Sequence, residues 1–409
     1  MTQEPTPYPI EEEEYYLRIE EEPIVTIISQ SIVEEARRIT KALGIKILEE
    51  KGSEIRDKLD KEGKLKEIPK FTKRKPCCLA LDTGFTSPPL ELTGGKLLVI
   101  IRSHVMYGCR STCIPLSDSV GIIKFIQEDE SVGTPLSKII ERKFIKELLE
   151  LKSQGKIDLD LIILDGELFP RIPPRFSTRL ARRRTASRTA KLYDKIISLT
   201  NDILELADKT DTALVGVIKR AYGRDIPVML NMLDLLSIND KAIATYILEQ
   251  GEWIDIGTYA DIAYYLHRVL ESVKKENTLP KRIRISLNER MSWIVGVIDE
   301  TTHAASIRVA IYKSTTPTYF MLATKVEIWP SNDLHYEDII AYLSTITGAN
   351  GVPHPIDLVD SMCRVKKNAL YLAQQQLFKE LTNVLGNPRL AMSIAGLTNP
   401  EKMYKVGFK

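Results

Sequence analysis

Two apolar runs in this chain end the same way. Leu79-Ala80-Leu81-Asp82-Thr83-Gly84 and Ile162-Ile163-Leu164-Asp165-Gly166 each place a carboxylate and a turn glycine directly after a stretch too apolar to face water. Short apolar runs bounded by turn residues predict buried strands. Strands without polar alternation belong inside a sheet covered on both faces, which points to an α/β architecture. The rest of the pattern agrees. Strands are predicted at Lys96–Val105, Ala213–Ile218, Trp293–Ile298, Ile307–Tyr312 and Thr324–Ile328. Helices are predicted at Leu136–Lys152, with Thr134 as N-cap and Pro135 at its first position, at Thr189–Lys209, and as one long closing helix over Ile356–Leu385. The expected fold is a mixed sheet flanked by helices.

The organisation along the chain is uneven. Residues 1–23 hold three early prolines and an acidic run and read as a flexible tail or docking peptide. Residues 24–75 read as a helical N-terminal extension, with one or two helices between Ser29 and Lys61. The main domain spans 76–390, with 226–280 as a mainly helical insertion, and 391–409 is a C-terminal tail. The longest apolar runs are about five residues, far short of the roughly 20 that span a bilayer. No signal segment opens the chain, and five cysteines are sparse for 409 residues, so a cytoplasmic, reduced protein without a disulfide framework is expected. Cys109 and Cys113 with His104 could form half of a metal knuckle, yet no second pair lies at zinc-finger spacing.

Net charge is only +2, from 57 basic and 55 acidic side chains. That near-balance argues against a nucleic-acid partner until it is divided along the chain. Residues 1–22 carry eight acidic residues and one basic, so the remaining 56 basic and 47 acidic residues give the body +9. Seven of those basic residues are Arg171, Arg175, Arg179, Arg182, Arg183, Arg184 and Arg188, directly after the second strand-end aspartate. No acid occurs between Glu167 and Asp194. A solvated helix face intersperses both signs. An unmixed arginine run suits phosphate forks, or an acidic partner such as the protein's own tail.

Asp82 and Asp165 carry the chemistry. Each alone reads as a turn cap. Two at the ends of neighbouring strands sit where α/β sheets bind ligands, and two close carboxylates need a cation or a shared proton. A hard divalent cation satisfies them. A third candidate is Glu141. At 100° per residue it falls about 100° from Ile140, between Leu148 at about 80° and Ile145 at about 140°, so it faces the interior. There it is either a ligand or half of a buried salt bridge with Lys219 or an arginine. Asp299, Glu300 and His303 read equally as a site or a surface turn, and His354 between Pro353 and Pro355 reads as structural. No Gly-x-x-x-x-Gly-Lys-Ser/Thr loop and no Gly-x-Ser-x-Gly elbow is present, which excludes a P-loop motor and disfavours an α/β-hydrolase.

Taken in order, these motifs resemble the NurA nucleases of archaea and some bacteria. The family pattern is a strand ending in Asp-Gly-Ser, a helical glutamate, a strand ending in Asp-Gly-Ser-Leu, a Val-Gly-Ile-x-Lys strand, and Gly-Tyr-Pro-x-Pro-Leu before the last helix. Here the corresponding segments are Leu81-Asp82-Thr83-Gly84, Glu141, Leu164-Asp165-Gly166-Glu167-Leu168, Val215-Gly216-Val217-Ile218-Lys219 and Gly351-Val352-Pro353-His354-Pro355-Ile356. The resemblance covers about residues 76–385. It implies a ribonuclease H-like fold and a homodimeric DNA nuclease using Mn2+ or Mg2+. The implied catalytic and metal-binding residues are Asp82, Glu141 and Asp165, with Asp360 in place of the family's metal-site histidine and Val352 in place of its tyrosine. Asp360 groups by helix phase with Arg364 and Lys367, so a surface ion pair is the competing role. The resemblance further implies 5′–3′ exonuclease and single-strand endonuclease action at DNA ends beside a HerA-type hexameric ATPase. Arg175, Arg179, Arg182, Arg183, Arg184 and Lys219 are the expected DNA contacts. The alternatives are a catalytically weak or inactive DNA-binding scaffold of the same complex, and a ribonuclease or transposase-like enzyme.

Overall fold

The structure is a computed structural model that describes residues 32, 35–40, 46–109, 113–127, 132–185, 188–220, 223–276, 280–316 and 321–398. The acidic tail and residues 399–409 lie outside these. The chain divides into two units, Met1–Glu54 and Ile55–Lys409. In the first, residues 35–40 are helical and α1 (Lys46–Lys61) begins.

The second unit is built on one sheet. Its strands are β1 (Leu65–Glu67), β2 (Cys78–Phe85), β3 (Leu90–Leu92), β4 (Gly95–Tyr107), β5 (Ser117–Ile126), β6 (Leu161–Asp165), β7 (Ala213–Ile218), β8 (Glu252–Thr258), β9 (Arg308–Tyr312) and β10 (Thr324–Trp329). They run in the order β1-β8-β9-β10-β7-β6-β2-β4-β3, with β5 on the outer side of β4. β2, β6 and β7 are parallel and every other pairing is antiparallel. The chain therefore forms the mixed sheet expected of it.

Alternation along the strands decides which helices cover which face. Cys78, Ala80, Ile163, Val215 and Val326 belong to one apolar cluster with Ile339 and Leu343 of α8 (Tyr336–Ile346) and Ile356 and Val359 of α9 (His354–Cys363). The intervening Leu79, Leu81, Ile162 and Leu164 are equally buried and point to the opposite face. That face carries α2 (Gly133–Ser153), which packs on β2 and on α4 (Arg188–Thr210), the latter preceded by the short α3 (Arg179–Thr185). Helices α5 (Asp240–Ile247), α6 (Tyr259–Glu276) and α7 (Lys281–Ile298) follow β7, and α10 (Lys367–Leu385) and α11 (Pro388–Ala395) close the chain.

Several expectations are corrected. Trp293–Ile298 is the end of helix α7, not a strand: Leu287, Ile294 and Val297 are buried at helical spacing, and a short apolar run cannot by itself distinguish the two. The closing helix is split, because Arg364 and Lys366 adopt extended backbone between α9 and α10 without a Gly or Pro to announce it. Segment 226–280 contributes β8 to the sheet between β1 and β9, and Leu65–Glu67, assigned to the helical extension, pairs with β8. Residues 391–398 are packed: Ala391 and Ala395 are fully buried, and Thr93 and Gly94 donate backbone bonds to Gly396 and Ile394. Cys77 and Cys109 form a disulfide, against the expectation of a reduced set. β2 and β4 are antiparallel neighbours with Cys78 opposite Tyr107, so the residues flanking that pair meet.

Candidate metal centre and adjoining basic cleft

The parallel centre of the sheet brings Asp82 and Asp165 together. Leu81 of β2 is in register with Leu164 of β6, so the next residue on each strand is an aspartate. Strand parity turns both toward the face that carries α9, and α9 packs on β2, β4 and β6. Its Asp360 completes the group: carboxylate oxygens of Asp82, Asp165 and Asp360 all lie within 4.8 Å of one another. The surface-pair role for Asp360 is also real, since Arg364 lies 3.4 Å away one turn on.

The electrostatics are those of a crowded acidic site. Burial pushes the Asp82 carboxyl up to about 7, with further contributions from Asp165 and Glu141. Asp165 is also raised, by burial and by Asp360, while Lys219 and Lys138 oppose the shift. Lys219, expected to grip DNA, instead lies 2.8 Å from Asp165 and 3.3 Å from Asp360. Burial disfavours its charge, yet these two acids hold its ammonium above the usual lysine range.

Glu141 is buried, as its helix phase predicts, at 1% exposure. Among the described residues it is not one of the three clustered acids. It pairs with Lys138 at 3.1 Å and with Arg142 at 3.3 Å, so the arginine salt bridge left open by the sequence exists. Arg142 also donates to Thr200 and to the carbonyls of Glu167 and Leu168. Lys138 had no signal in the sequence beyond its position three residues before Glu141. Its Nζ would lie 2.9 Å from a Cβ placed on Gly166, whose φ of +120° already favours glycine. The backbone just after Asp165 thus stays open to an ammonium.

Lys138 also lines a cleft of about 780 Å³, together with Arg175, Arg220, Arg224, Tyr193 and Trp293. Arg175, Arg179, Arg183 and Arg184 are exposed. Arg182, the centre of the arginine run and an expected phosphate contact, is not available for one. Its side chain is fully buried, bonded to Asp194 at 2.6 Å, to Glu300 and to the Phe176 carbonyl. Local charge density hid this role because one of its partners lies 118 residues away. Glu300 is thereby assigned to that ion pair. His104 Nε2 donates to the Pro115 carbonyl and its ring is tilted against Phe144, with Cys109 in the disulfide, so no zinc knuckle forms there.

The mixed sheet gathers three carboxylates beside a basic cleft, with Asp165 at the end of β6 and Asp360 on the covering helix. Asp82, expected at a strand end, lies within β2, which runs on to Phe85 instead of turning at Gly84 because Thr83, Gly84 and Phe85 stay paired with β4. The chain belongs to the NurA domain family, whose family model matches residues 95–365. The matched region contains Glu141, Asp165, Lys219 and Asp360, and begins after Asp82. The fold is similar to the crystal structure of the NurA nuclease from Sulfolobus solfataricus, with 13% identity over 87% of this chain and 97% of that one, at a TM-score of 0.51. A crystal structure of NurA bound to dAMP and manganese matches at 12% identity over 88% of this chain and 99% of that one, at a TM-score of 0.49. Among curated protein sequences none matches. No helix among the described residues is long and apolar enough to cross a membrane.

Proposed function

We propose that this protein is a metal-dependent deoxyribonuclease that hydrolyses phosphodiester bonds at DNA ends. The convergence of Asp82, Asp165 and Asp360 beside a basic cleft is the observation that carries this reading. Three carboxylate oxygens this close suit a hard divalent cation, Mn2+ or Mg2+, and these aspartates would hold it, with Glu141 reaching the site from the opposite face. Bound there, the cation supplies Lewis-acid charge to a phosphoryl oxygen and acidifies a water. The chain's own side chains do the rest. Lys219 pairs with Asp165 and Asp360, and Lys138 stands between the carboxylates and the cleft, where it meets a phosphate next to the one being cut. Arg175, Arg220 and Arg224 hold the backbone within the cleft, and Arg179, Arg183 and Arg184 extend the contact outside it. Tyr193 and Trp293 offer apolar surface to unpaired bases.

In this reading the protein is a homodimer that cuts 5′–3′ from ends and within single strands, and a HerA-type hexameric ATPase feeds it DNA. The Sulfolobus relative is a NurA nuclease, which supports the activity class. The test is cleavage of end-labelled single-stranded and duplex DNA, with RNA and hybrid controls, in manganese, magnesium or EDTA, with and without a co-expressed HerA-type ATPase. Unchanged manganese-dependent cleavage by Asp82→Ala or Asp165→Ala would falsify the proposal. One observation favours a second reading, a DNA-binding scaffold: Lys219, Lys138, Arg142 and Arg364 already pair the acids of the site internally. A scaffold binds DNA and leaves it intact at every manganese concentration.

A further inference from the structure

Among the described residues strand β5 has one neighbouring strand. It pairs with β4 along its whole length, and among the described residues no strand covers its other edge. Both of its faces carry exposed apolar side chains: Val120, Ile123 and Phe125 are 38%, 52% and 38% exposed, and Leu116 just before it is 57% exposed, while Ile122 and Ile126 pack against α2. An edge of ten residues with exposed apolar side chains and no bulge invites pairing with another chain. The direction of its free hydrogen-bonding groups is known. Met106 donates to the Leu116 carbonyl, so the ladder turns the even-numbered residues of β5 toward β4. The odd-numbered Ser117, Ser119, Gly121, Ile123 and Phe125 present their N–H and C=O groups to the open edge. Ser119 N meanwhile donates to the side chain of Asp118, at 2.8 Å.

We infer that β5 pairs antiparallel with β5 of a second copy of this chain, with Gly121 on the two-fold axis. This rests on the homodimer of the reading above and specifies its interface. Edge parity and charge together select this partner and this register. A two-fold axis at residue 121 places odd residues opposite odd ones, as the free edge requires: Ser119 meets Ile123 and Ser117 meets Phe125. The closer, non-hydrogen-bonded pairs are then Val120 with Ile122, and Asp118 with Lys124. The acid and the base fall opposite each other twice, once on each side of the axis. Moving the axis to 120 or 122 sets Asp118 against Ile122 or Ile126 instead. The strand is therefore self-complementary in charge in one register, as an isologous interface requires.

The full-length chain tests this directly. Gly121 has no atom within 4 Å of an added Cβ, so Gly121→Cys fits. Paired Cα atoms at such a position lie about 5.5 Å apart, within disulfide reach. In a Cys113→Ser background, which removes the exposed native thiol, mild oxidation is expected to link Gly121→Cys into a covalent dimer. Asp118→Lys and Lys124→Asp each oppose like charges twice and are expected to weaken dimerisation about tenfold by sedimentation. The double swap is expected to restore it. If Gly121→Cys stays uncrosslinked while the chain still dimerises and cuts DNA, the strand pairing is wrong and the nuclease homodimer stands. If the single swaps leave the dissociation constant unchanged, the register is wrong. A chain monomeric at all concentrations overturns both the pairing and the homodimer.

Discussion

Replacing Arg182 with methionine separates a structural ion pair from a phosphate contact. The side chain is wholly buried, while its partners Asp194 and Glu300 are 44% and 18% exposed. Methionine fills the space of the stem and removes the charge. Breaking a buried pair by removing one partner costs about 3–5 kcal/mol, because the other charge is stranded. Here both acids retain some access to water, which lowers that figure, and the lost bond to the Phe176 carbonyl adds about 1 kcal/mol. The expected loss is about 3 kcal/mol, read as a fall in the urea midpoint. DNA affinity at conditions where both proteins are folded should keep its salt dependence. Arg183→Ala combined with Arg184→Ala should do the reverse: stability unchanged, and a salt slope shallower by about 1.4 for two lost single-strand phosphate contacts. If Arg182→Met is as stable as the parent and flattens the slope, the buried assignment fails and the residue belongs with its neighbours.

Further outcomes follow from other parts of the structure. Burial pushes the Glu327 carboxyl up to about 7, while bonds from Tyr259 and Phe169 oppose the shift. Because its folded pKa lies above the unfolded value, its stabilisation is full below about pH 4.5 and is lost as pH rises toward 7, by at most about 3 kcal/mol. Glu327→Gln should flatten that decline, checked by urea melts at pH 5 and pH 8. A Cβ on Gly216 would lie 2.6 Å from the Gly166 carbonyl and 2.7 Å from the Leu168 amide. Gly216→Ala should therefore cost about 1–3 kcal/mol and depress cleavage by displacing the turn after Asp165, measured by melting and by kcat. The Cys77–Cys109 disulfide closes a separation of 32 residues, and Cys77→Ser with Cys109→Ser should lower stability by about 3–4 kcal/mol. Equal melting of the variant and the non-reduced parent would contradict the bond.

The parts that were legible in the sequence depend on short-range periodicity and turn chemistry. An apolar run leading into an aspartate and a nearby glycine identified β2 and β6 with their aspartates, and the phase of Glu141 within α2 identified its burial. These features repeat every two or 3.6 residues, so a few neighbours suffice to read them. The same method lost β8, whose buried Trp253, Ile254 and Ile256 sit within a mostly helical segment. It also merged α9 with α10, since the break at Arg364–Lys366 uses no punctuating residue.

Partnership across long separations was decided by topology alone. Helix phase alone grouped Asp360 with surface charges, because it measures only a helix's own apolar stripe, and it was the family resemblance that placed it in the metal set. Asp360 joins Asp82 and Asp165 because α9 packs across the two parallel strands that carry them. Arg182 looked like a DNA contact because it sits in an arginine run without an acid between Glu167 and Asp194, yet Glu300 neutralises it from another helix's end. The sequence by itself determined which strands carry the aspartates and that Glu141 faces inward, but not that β2 runs on past Asp82 to Phe85. Only the tertiary structure decided which charges meet, because an ion pair depends on ångströms in space and leaves no period in the chain.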